Sequence, residues 1–170
     1  MFTSSFKEGQ GLQGVIRLEN VQPEAFKSLL RFMYTGTLSQ KEQLAYKDDT
    51  SHLVNLLASG EYLGLDGIGI WTSEFLQRTV ACHKPLSYTV YTSLFELALR
   101  SQCEELLNTL IACREELPSS YFAHAVGEAS LNNLITKERW EQMKRKIGSF
   151  SDVVHNIEDY NPIIRNLIHS

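Results

Sequence analysis

A glycine pattern near the amino terminus is the first feature of this chain that could do chemistry. The stretch from Gly9 to Gly14 reads G-x-G-x-x-G, the spacing that lets a loop approach the pyrophosphate of a dinucleotide. That chemistry needs a strand before the glycines and a helix after them. The surrounding pattern predicts the opposite order, with a helix end before Gly9 and a strand from Val15 to Leu18. We therefore interpret the glycines as a flexible turn and expect no cofactor.

Cysteine and histidine side chains offer a second possibility, a metal site or a thiol nucleophile. No pair among Cys82, Cys103, Cys113, His83 and His124 has C-x-x-C or H-x-x-x-H spacing, so no metal site is predicted. Adjacent Cys82 and His83 point in different directions on a helix and do not form a nucleophile pair. Cys103 falls on an apolar stripe, where a thiol behaves as a small buried hydrophobe. The odd number and irregular spacing of the cysteines predict reduced thiols, as in cytoplasmic and nuclear proteins.

Charge and composition narrow the remaining classes. With 43% hydrophobic and 21% charged residues among 170, the chain is typical of a soluble globular protein of one domain or two small ones. Its net charge of −4 argues against nucleic acid as the main partner, and the cluster from Lys144 to Lys146 is interpreted as a solvated helix end. No segment approaches the roughly 20 apolar residues that a membrane span needs, so no membrane partner is expected. Acidic residues such as Glu104, Glu105, Glu115 and Glu116 fall on polar helix faces and are interpreted as solvated. No catalytic constellation is found, and we expect that the protein is not an enzyme.

The elements around the glycine turn are a short strand and a helix. Alternating residues from Val15 to Leu18 predict a strand with one buried face. Pro23 suits the first turn of a helix, where its missing N–H costs nothing. Gly36 can adopt the left-handed conformation that often ends a helix. The helix between them carries an apolar stripe at spacings of three and four, formed by Phe26, Leu29, Leu30 and Met33.

Helical periodicity predicts most of the chain beyond a polar segment at 37–50. That segment is interpreted as a surface loop or the irregular start of a helix. The pattern breaks at Lys84 and Pro85, where we place a domain boundary. Ser101 and Glu104 have capping-box spacing and predict the start of the second helix of a closely connected pair. A charged helix is predicted at 136–147, and short helices at 148–170. The intervening stripes are Leu53, Leu56, Leu57 and Gly60; Ile68, Trp71, Phe75 and Thr79; Val90, Tyr91, Leu94, Phe95 and Ala98; and Cys103, Leu106, Leu107, Leu110 and Ile111.

The strand and the helix that follows it resemble the second half of a BTB (POZ) domain, a family of homotypic interaction domains. Similar stretches from Met1 to Glu8 and from Leu56 to Asp66 extend the resemblance over the region 1–84, the C-terminal half of such a domain. The region 85–147 resembles, more loosely, the BACK region of many BTB adaptor proteins, and 148–170 is a C-terminal tail. The family run V-x-x-x-x-F-x-x-L-L-x-x-x-Y-T-G is carried here by Val21, Phe26, Leu29, Leu30, Tyr34, Thr35 and Gly36.

These resemblances imply a mainly α fold with an α+β remnant. The expected architecture is a truncated BTB/POZ fold with one short strand, followed by a helical BACK-like region. The first strands and helices of a complete BTB domain, which carry the family's dimer interface, have no counterpart here. We therefore expect either a fragment or isoform of a longer protein, or another BTB chain that completes the fold. The apolar stripe of the first helix should then be partly exposed.

The resemblance also implies a partner. BTB adaptors that recruit a cullin-3 ubiquitin ligase carry a hydrophobic-x-Glu triplet before the matching strand, and Phe6, Lys7 and Glu8 occupy that place. It assigns Phe6 to an apolar pocket of the cullin and Glu8 to a polar contact, and Tyr34 and Tyr62 border the surface. A chance triplet at a helix end is the alternative.

The predicted helices at 88–99 and 102–115 strengthen the cullin interpretation. They resemble the extra helical pair that such adaptors add to form a groove for the cullin's amino-terminal segment, and we expect aromatic surface there. The expected function is a non-catalytic substrate adaptor of a cullin-3 RING ubiquitin ligase in the cytoplasm or nucleus, with an unknown substrate protein. The alternative is a structural or transcriptional BTB scaffold without a role in ubiquitination.

Overall fold

Helices form nearly all the regular structure in the residues that the computed structural model describes, which are 18, 21–65, 67–80, 86–147, 157 and 162–169. No strand occurs within these residues, and the prediction of a mainly α fold is confirmed. The predicted strand lies outside them except for Leu18, as does the glycine turn. The helices are α1 Pro23–Thr35, α2 Gln40–Asp48, α3 Ser51–Tyr62, α4 Gly67–Val80, α5 Tyr88–Arg100, α6 Glu104–Cys113, α7 Ser119–Leu131, α8 Lys137–Ile147 and α9 Pro162–His169.

The ends of α1 follow from its sequence. Pro23 stands at the first helical position, as predicted. Gly36 ends the helix with φ 71° and donates its N–H to the carbonyl of Phe32, a conformation that residues with a Cβ adopt only with strain. Leu29 is fully buried against the core, whereas Leu30 and Met33 are 37% and 59% exposed. The stripe of α1 is therefore partly exposed, as expected from the sequence.

Of the two interpretations of 37–50, the surface loop is wrong, because the segment contains a complete helix, α2. Ser39 and Glu42 form a capping box, because the N–H of Glu42 reaches the Ser39 hydroxyl at 3.3 Å and the N–H of Ser39 reaches the Glu42 carboxylate at 2.8 Å. Tyr46 is buried on the inner face of α2 and donates from its hydroxyl to Ser28 of α1 at 3.0 Å. The prediction failed because α2 has a single strongly buried residue, which gives no apolar period.

Glu42 also fastens α2 to α1. Its carboxylate accepts a hydrogen bond from Ser28 at 3.0 Å and lies 3.3 Å from the guanidinium of Arg31. Partial burial disfavours its charge, but the hydrogen bonds of Ser39 and Ser28 and the charge of Arg31 outweigh burial and lower the pKa of Glu42. We call this set of Ser28, Arg31, Glu42 and Tyr46 the α1–α2 clasp.

Helices α3 and α4 approach closely at a glycine. A Cβ on Gly60 would lie 2.5 Å from Cγ2 of Ile68, so the absence of a side chain allows the contact. A glycine inside a helical pattern is consistent with either close packing or a helix end. Close packing is the structural reason, since α3 continues to Tyr62.

The turn between α5 and α6 corrects the predicted capping box. Ser101 ends α5 and donates its hydroxyl to the carbonyl of Leu97 at 2.8 Å, and Cys103 rather than Ser101 precedes the first turn of α6. Gln102 has φ 55°, a left-handed conformation that reverses the chain within three residues. Glu104 lies in the first turn of α6 and pairs with α8, where Arg139 and Lys146 contact its carboxylate.

One hydrophobic cluster runs from α1 to α9. α3 packs against α5, and α4 packs against α6, so the helices before residue 81 share a core with those after residue 85. α7 packs against α5, α8 against α6 and α9 against α7. Phe95, Phe122 and Trp140 are fully buried at the centre of this second part. The proposed boundary at Lys84 and Pro85 lies outside the described residues.

Candidate functional site

An open groove of about 670 Å³ runs between α4 and α6. Since the two helices belong to different parts of the sequence, the groove exists only because α6 packs against α4. Most of its surface is apolar, and Ile70 on the α4 wall is 45% exposed. Its walls are formed mainly by Ile70, Glu74 and Gln77 of α4, by Glu105 and Ala112 of α6, and by Glu116 beyond the end of α6.

A buried polar network forms the floor of this groove. The hydroxyls of Ser73 and Thr109 are 2.7 Å apart, and the Gln77 amide donates to Thr109 at 2.9 Å. Ser73 also hydrogen-bonds the backbone carbonyl of Glu105 at 3.1 Å. These bonds fix the position of α6 along α4 and satisfy the buried hydroxyls. The exposed walls are therefore the part of the groove that is available to a partner.

A second pocket of about 400 Å³ continues the groove past the ends of α3 and α5. Ile70 and Glu105 line both. Glycine again permits the approach, because a Cβ on Gly69 would lie 2.7 Å from Sγ of Cys103. Arg100 on the rim is 3.1 Å from Glu61 and 3.8 Å from Glu96, so its charge is compensated within the protein.

The charge of the groove is negative. Among the described residues that line it there is no Lys, Arg or His, whereas Glu74, Glu105 and Glu116 are exposed on its rim. Glu74 lies 3.8 Å from Arg78, one turn further along α4. From the sequence we interpreted Glu105 and Glu116 as solvated residues of a polar face, and both side chains are exposed in the structure. Periodicity could not reveal that they share one groove.

The tyrosines predicted to border a partner surface are exposed. Tyr34, in the last turn of α1, is 87% exposed, and Tyr62, the last residue of α3, is 57% exposed. No hydrogen bond or ring contact joins them in the described part of the chain. Phe6 and Glu8 lie outside the described residues, so their assignment stays a prediction.

The expectation of aromatic surface on the predicted pair of helices is wrong at the groove. Tyr91 and Phe95 of α5 point into the core, and the Tyr91 hydroxyl donates to the carbonyl of Leu110 at 3.0 Å. Tyr88 is half-buried against Tyr121 and His124 of α7. The stripe that predicted α5 is the same stripe that buries its aromatic residues, so they stabilise the fold.

The cysteines of the described residues are not arranged for metal binding or nucleophilic catalysis. Cys103 directly precedes α6 and Cys113 is its last residue, so the two cysteines lie about 15 Å apart along the helix axis. Burial raises the pKa of both thiols, that of Cys113 to about 11, so both are protonated at neutral pH. His124 faces Glu128 at 3.3 Å. No group of three or more metal-ligating side chains occurs among the described residues, and Cys82 and His83 lie outside them.

One signal in the sequence could have located the groove. Ile70 lies outside the stripe of α4 that Ile68, Trp71 and Phe75 form, and so places an apolar residue on the polar face. Exposed apolar residues of this kind mark candidate interaction surfaces. The partner helix α6 could not be identified in this way, because its exposed face is polar.

The described part of the chain is thus helical and presents an open groove. The BTB/POZ domain family model matches residues 1–79, a little under half of the chain, and confirms the predicted resemblance. BTB/POZ domains mediate protein–protein interactions and dimerisation, so the match supports a protein-interaction module. No curated protein and no solved structure matches the chain significantly. None of the helices in the described ranges has both the length and the apolar character needed to cross a membrane.

Proposed function

We propose that the protein is a substrate adaptor of a cullin-3 RING ubiquitin ligase. The observation that carries the proposal is the packing of α6 beside α4 with an open groove between them. The resemblance assigns the binding groove for the cullin's amino-terminal segment to the helical pair α5 and α6, and α6 of this pair forms one wall of the groove beside α4. In this proposal the protein supplies no catalytic group, and ubiquitin transfer is done by other subunits of the ligase.

The residues proposed to bind the cullin lie in two places. Phe6 inserts into an apolar pocket of the cullin and Glu8 makes a polar contact beside it. Tyr34 and Tyr62 border this surface, and their exposed rings suit a partner interface. The α4–α6 groove receives the cullin's amino-terminal segment as a second contact.

The second part of the chain is proposed to be a BACK-like region. Its helices α5 to α8 share a hydrophobic core with the BTB region, and this packing keeps α6 beside α4, where the groove lies. The substrate is another protein that binds outside the cullin surface. The adaptor is proposed to act in the cytoplasm or nucleus.

Calorimetric titration with the amino-terminal part of cullin-3 tests the proposal. Phe6→Ala should weaken binding by about tenfold or more, since a buried aromatic anchor is a typical hot spot. Glu8→Asp should also weaken it, because the shorter side chain moves the carboxylate. Phe2→Ala, an equal truncation in the same segment, is the matched control and should leave affinity unchanged. All variants are first compared with the parent chain by thermal unfolding.

Two outcomes would contradict the proposal. If a folded chain does not bind the cullin fragment, the structural or transcriptional scaffold becomes the better account. If the fragment binds with the same affinity to the Phe6→Ala and Phe2→Ala variants, the predicted triplet is not the cullin site.

A further inference from the structure

We infer that the α4–α6 groove selects a cationic, amphipathic segment of a partner protein, and that Glu105 and Glu116 determine this selection. The inference rests on the proposed function for the use of the groove in partner binding, and adds the chemistry of the segment that enters it. The groove volume, the exposed Ile70 and the distribution of ion pairs around α6 together support it.

The apolar part of the groove accounts for amphipathic character in the partner. Ile70 exposes nearly half of its side chain on one wall and Ala112 is exposed on the other. The Ser73 and Thr109 hydroxyls between them are hydrogen-bonded to each other and offer little to a ligand. Apolar side chains of the partner would therefore lie along the centre of the groove, where they remove Ile70 from water.

The ion pairs of α6 account for positive charge in the partner. Two adjacent pairs of glutamates stand near its ends, Glu104 with Glu105 and Glu115 with Glu116. The first of each pair is compensated within the protein, Glu104 by Lys146 at 2.6 Å and Glu115 by Arg114 at 3.7 Å. The second of each pair lines the groove and forms no salt bridge with a cation of the described residues; the Glu105 carboxylate accepts only a long hydrogen bond from the Cys103 thiol, at 3.8 Å.

The spacing of the two carboxylates that lack a salt bridge within the described part of the chain sets the spacing of the partner's cations. Glu105 and Glu116 are separated by eleven positions, about 17 Å along α6 and the short 3₁₀ turn that continues it. Eleven residues are close to three full turns of an α-helix. A helical segment with Lys or Arg at both ends of such an interval would place both cations on one face, with apolar residues between them.

Glu74 adds negative charge on the α4 wall of the groove, opposite α6. Its pairing with Arg78 is long, at 3.8 Å, and both side chains are exposed, so this pair is weak. The carboxylates on the two walls repel nucleic acids and acidic peptides alike. The charge of the groove therefore favours one class of occupant, a segment rich in Lys or Arg.

Fluorescence anisotropy with a synthetic peptide tests the inference. The probe is a labelled helical peptide with lysines about eleven residues apart and leucines between them on the same face. It should bind the full chain, more weakly as salt is raised. Glu105→Gln with Glu116→Gln should reduce its affinity by about three- to tenfold, the effect expected of two exposed ion pairs. The same peptide with glutamates in place of the lysines should not bind measurably.

A charge-matched variant separates the groove from general electrostatics. Glu115→Gln with Glu128→Gln removes the same charge at exposed positions outside the groove and should change affinity by less than about twofold. An equal loss in this control would overturn the inference. So would failure of a folded chain to bind the lysine peptide, or equal binding of the glutamate peptide.

Titration of the same variants with the cullin-3 fragment distinguishes this inference from the proposed function. If the fragment binds but the lysine peptide does not, the charge selection is wrong and the adaptor proposal stands. If the peptide binds but the cullin fragment does not, the groove keeps its preference for cations and the adaptor proposal is wrong.

Discussion

The helices α1 and α5 are equally long, thirteen residues each, but they have opposite roles. Every apolar stripe residue predicted for α5 is buried, and the helix packs against α3, α6 and α7. In α1 only Leu29 of the predicted stripe is fully buried, and Met33 and Tyr34 are largely exposed. Among the described helices, α1 packs mainly against α3.

The difference shows which part of the protein supports the fold and which part offers surface. A helix enclosed on three sides contributes its full apolar area to stability, whereas exposed apolar residues contribute little and remain available to partners. The BTB pattern of α1 is thus carried partly by residues that face outward. We regard α5 as the framework and α1, with the α4–α6 groove, as contact surface.

The largest expected effect on the free energy of unfolding distinguishes the buried helix α5 from the partly exposed helix α1. Phe95→Ala removes a fully buried ring that contacts Phe122 edge-on at 5.8 Å, and should lower the free energy of unfolding by about 3–5 kcal/mol. Leu30→Ala in α1 should lower it by less than about 1 kcal/mol, because Leu30 is partly exposed. Denaturant unfolding measures both, and equal losses would remove the distinction between framework and surface.

A smaller effect tests the contact that brings α4 to the α5–α6 turn. Gly69→Ala should destabilise the protein by about 1–3 kcal/mol, because its Cβ would meet Sγ of Cys103. Without that contact, alanine in a helix would stabilise relative to glycine. Adding Cys103→Ala removes the sulfur and should restore part of the loss. A stabilising effect of Gly69→Ala would show that α4 and Cys103 leave room for a Cβ at this position and would contradict the close contact.

We predict that the α1–α2 clasp makes a pH-dependent contribution to the free energy of unfolding. The clasp belongs to α1, the less enclosed of the two helices. Glu42→Gln should cost about 1–2 kcal/mol at pH 7, since it weakens the bonds with Ser28 and Ser39 and the pair with Arg31. The pKa of Glu42 is lower in the folded than in the unfolded state. Its contribution is therefore fully present above the unfolded value of about 4.5 and is lost as pH falls through the folded value.

Unfolding curves at several pH values check this dependence. The difference between the parent chain and Glu42→Gln should shrink below about pH 4.5. Glu24→Gln is the control, because it removes an exposed carboxylate of the same helix that lies outside the clasp; at pH 7 it should change the free energy of unfolding by less than about 0.5 kcal/mol. A difference that persists at the lowest pH would mean that the clasp depends on packing rather than on the carboxylate charge.

The smallest expected effect is at the contact surface itself. Tyr34→Ser should change the free energy of unfolding by less than about 0.5 kcal/mol, because the ring is 87% exposed. Tyr46→Phe, which removes only the hydroxyl bonded to Ser28, should cost about 1 kcal/mol. A large loss for Tyr34→Ser would place this residue in the framework.

Periodicity predicted the helices that bury a regular stripe and failed where other interactions decide. α5 followed from Val90, Tyr91, Leu94 and Phe95, whose spacing reports a single buried face. α2 was missed because its capping box and clasp, rather than an apolar stripe, define it. The capping box assigned to Ser101 failed because the left-handed Gln102 delays the start of α6.

The groove could not be predicted from the sequence, for a different reason. Ser73 and Thr109 are 36 positions apart, and a contact over that separation depends on how the helices pack. The resemblance to BTB adaptors suggested a partner class, but the charge of the groove comes from residues whose role depends on the cations near them. Glu104 and Glu105 are adjacent in sequence, yet Glu104 is partly buried and paired with Lys146, whereas Glu105 is exposed in the groove.

Hydrogen exchange of the chain with and without the amino-terminal part of cullin-3 tests the central claim, that α1 and the α4–α6 groove are contact surface on a framework centred on α5. We predict new protection in peptides that cover the Phe6 to Glu8 triplet, the end of α1, α4 and α6, and no change in α7 and α9. Protection confined to α7 and α9, or no change anywhere when the fragment is present at saturating concentration, would contradict the account.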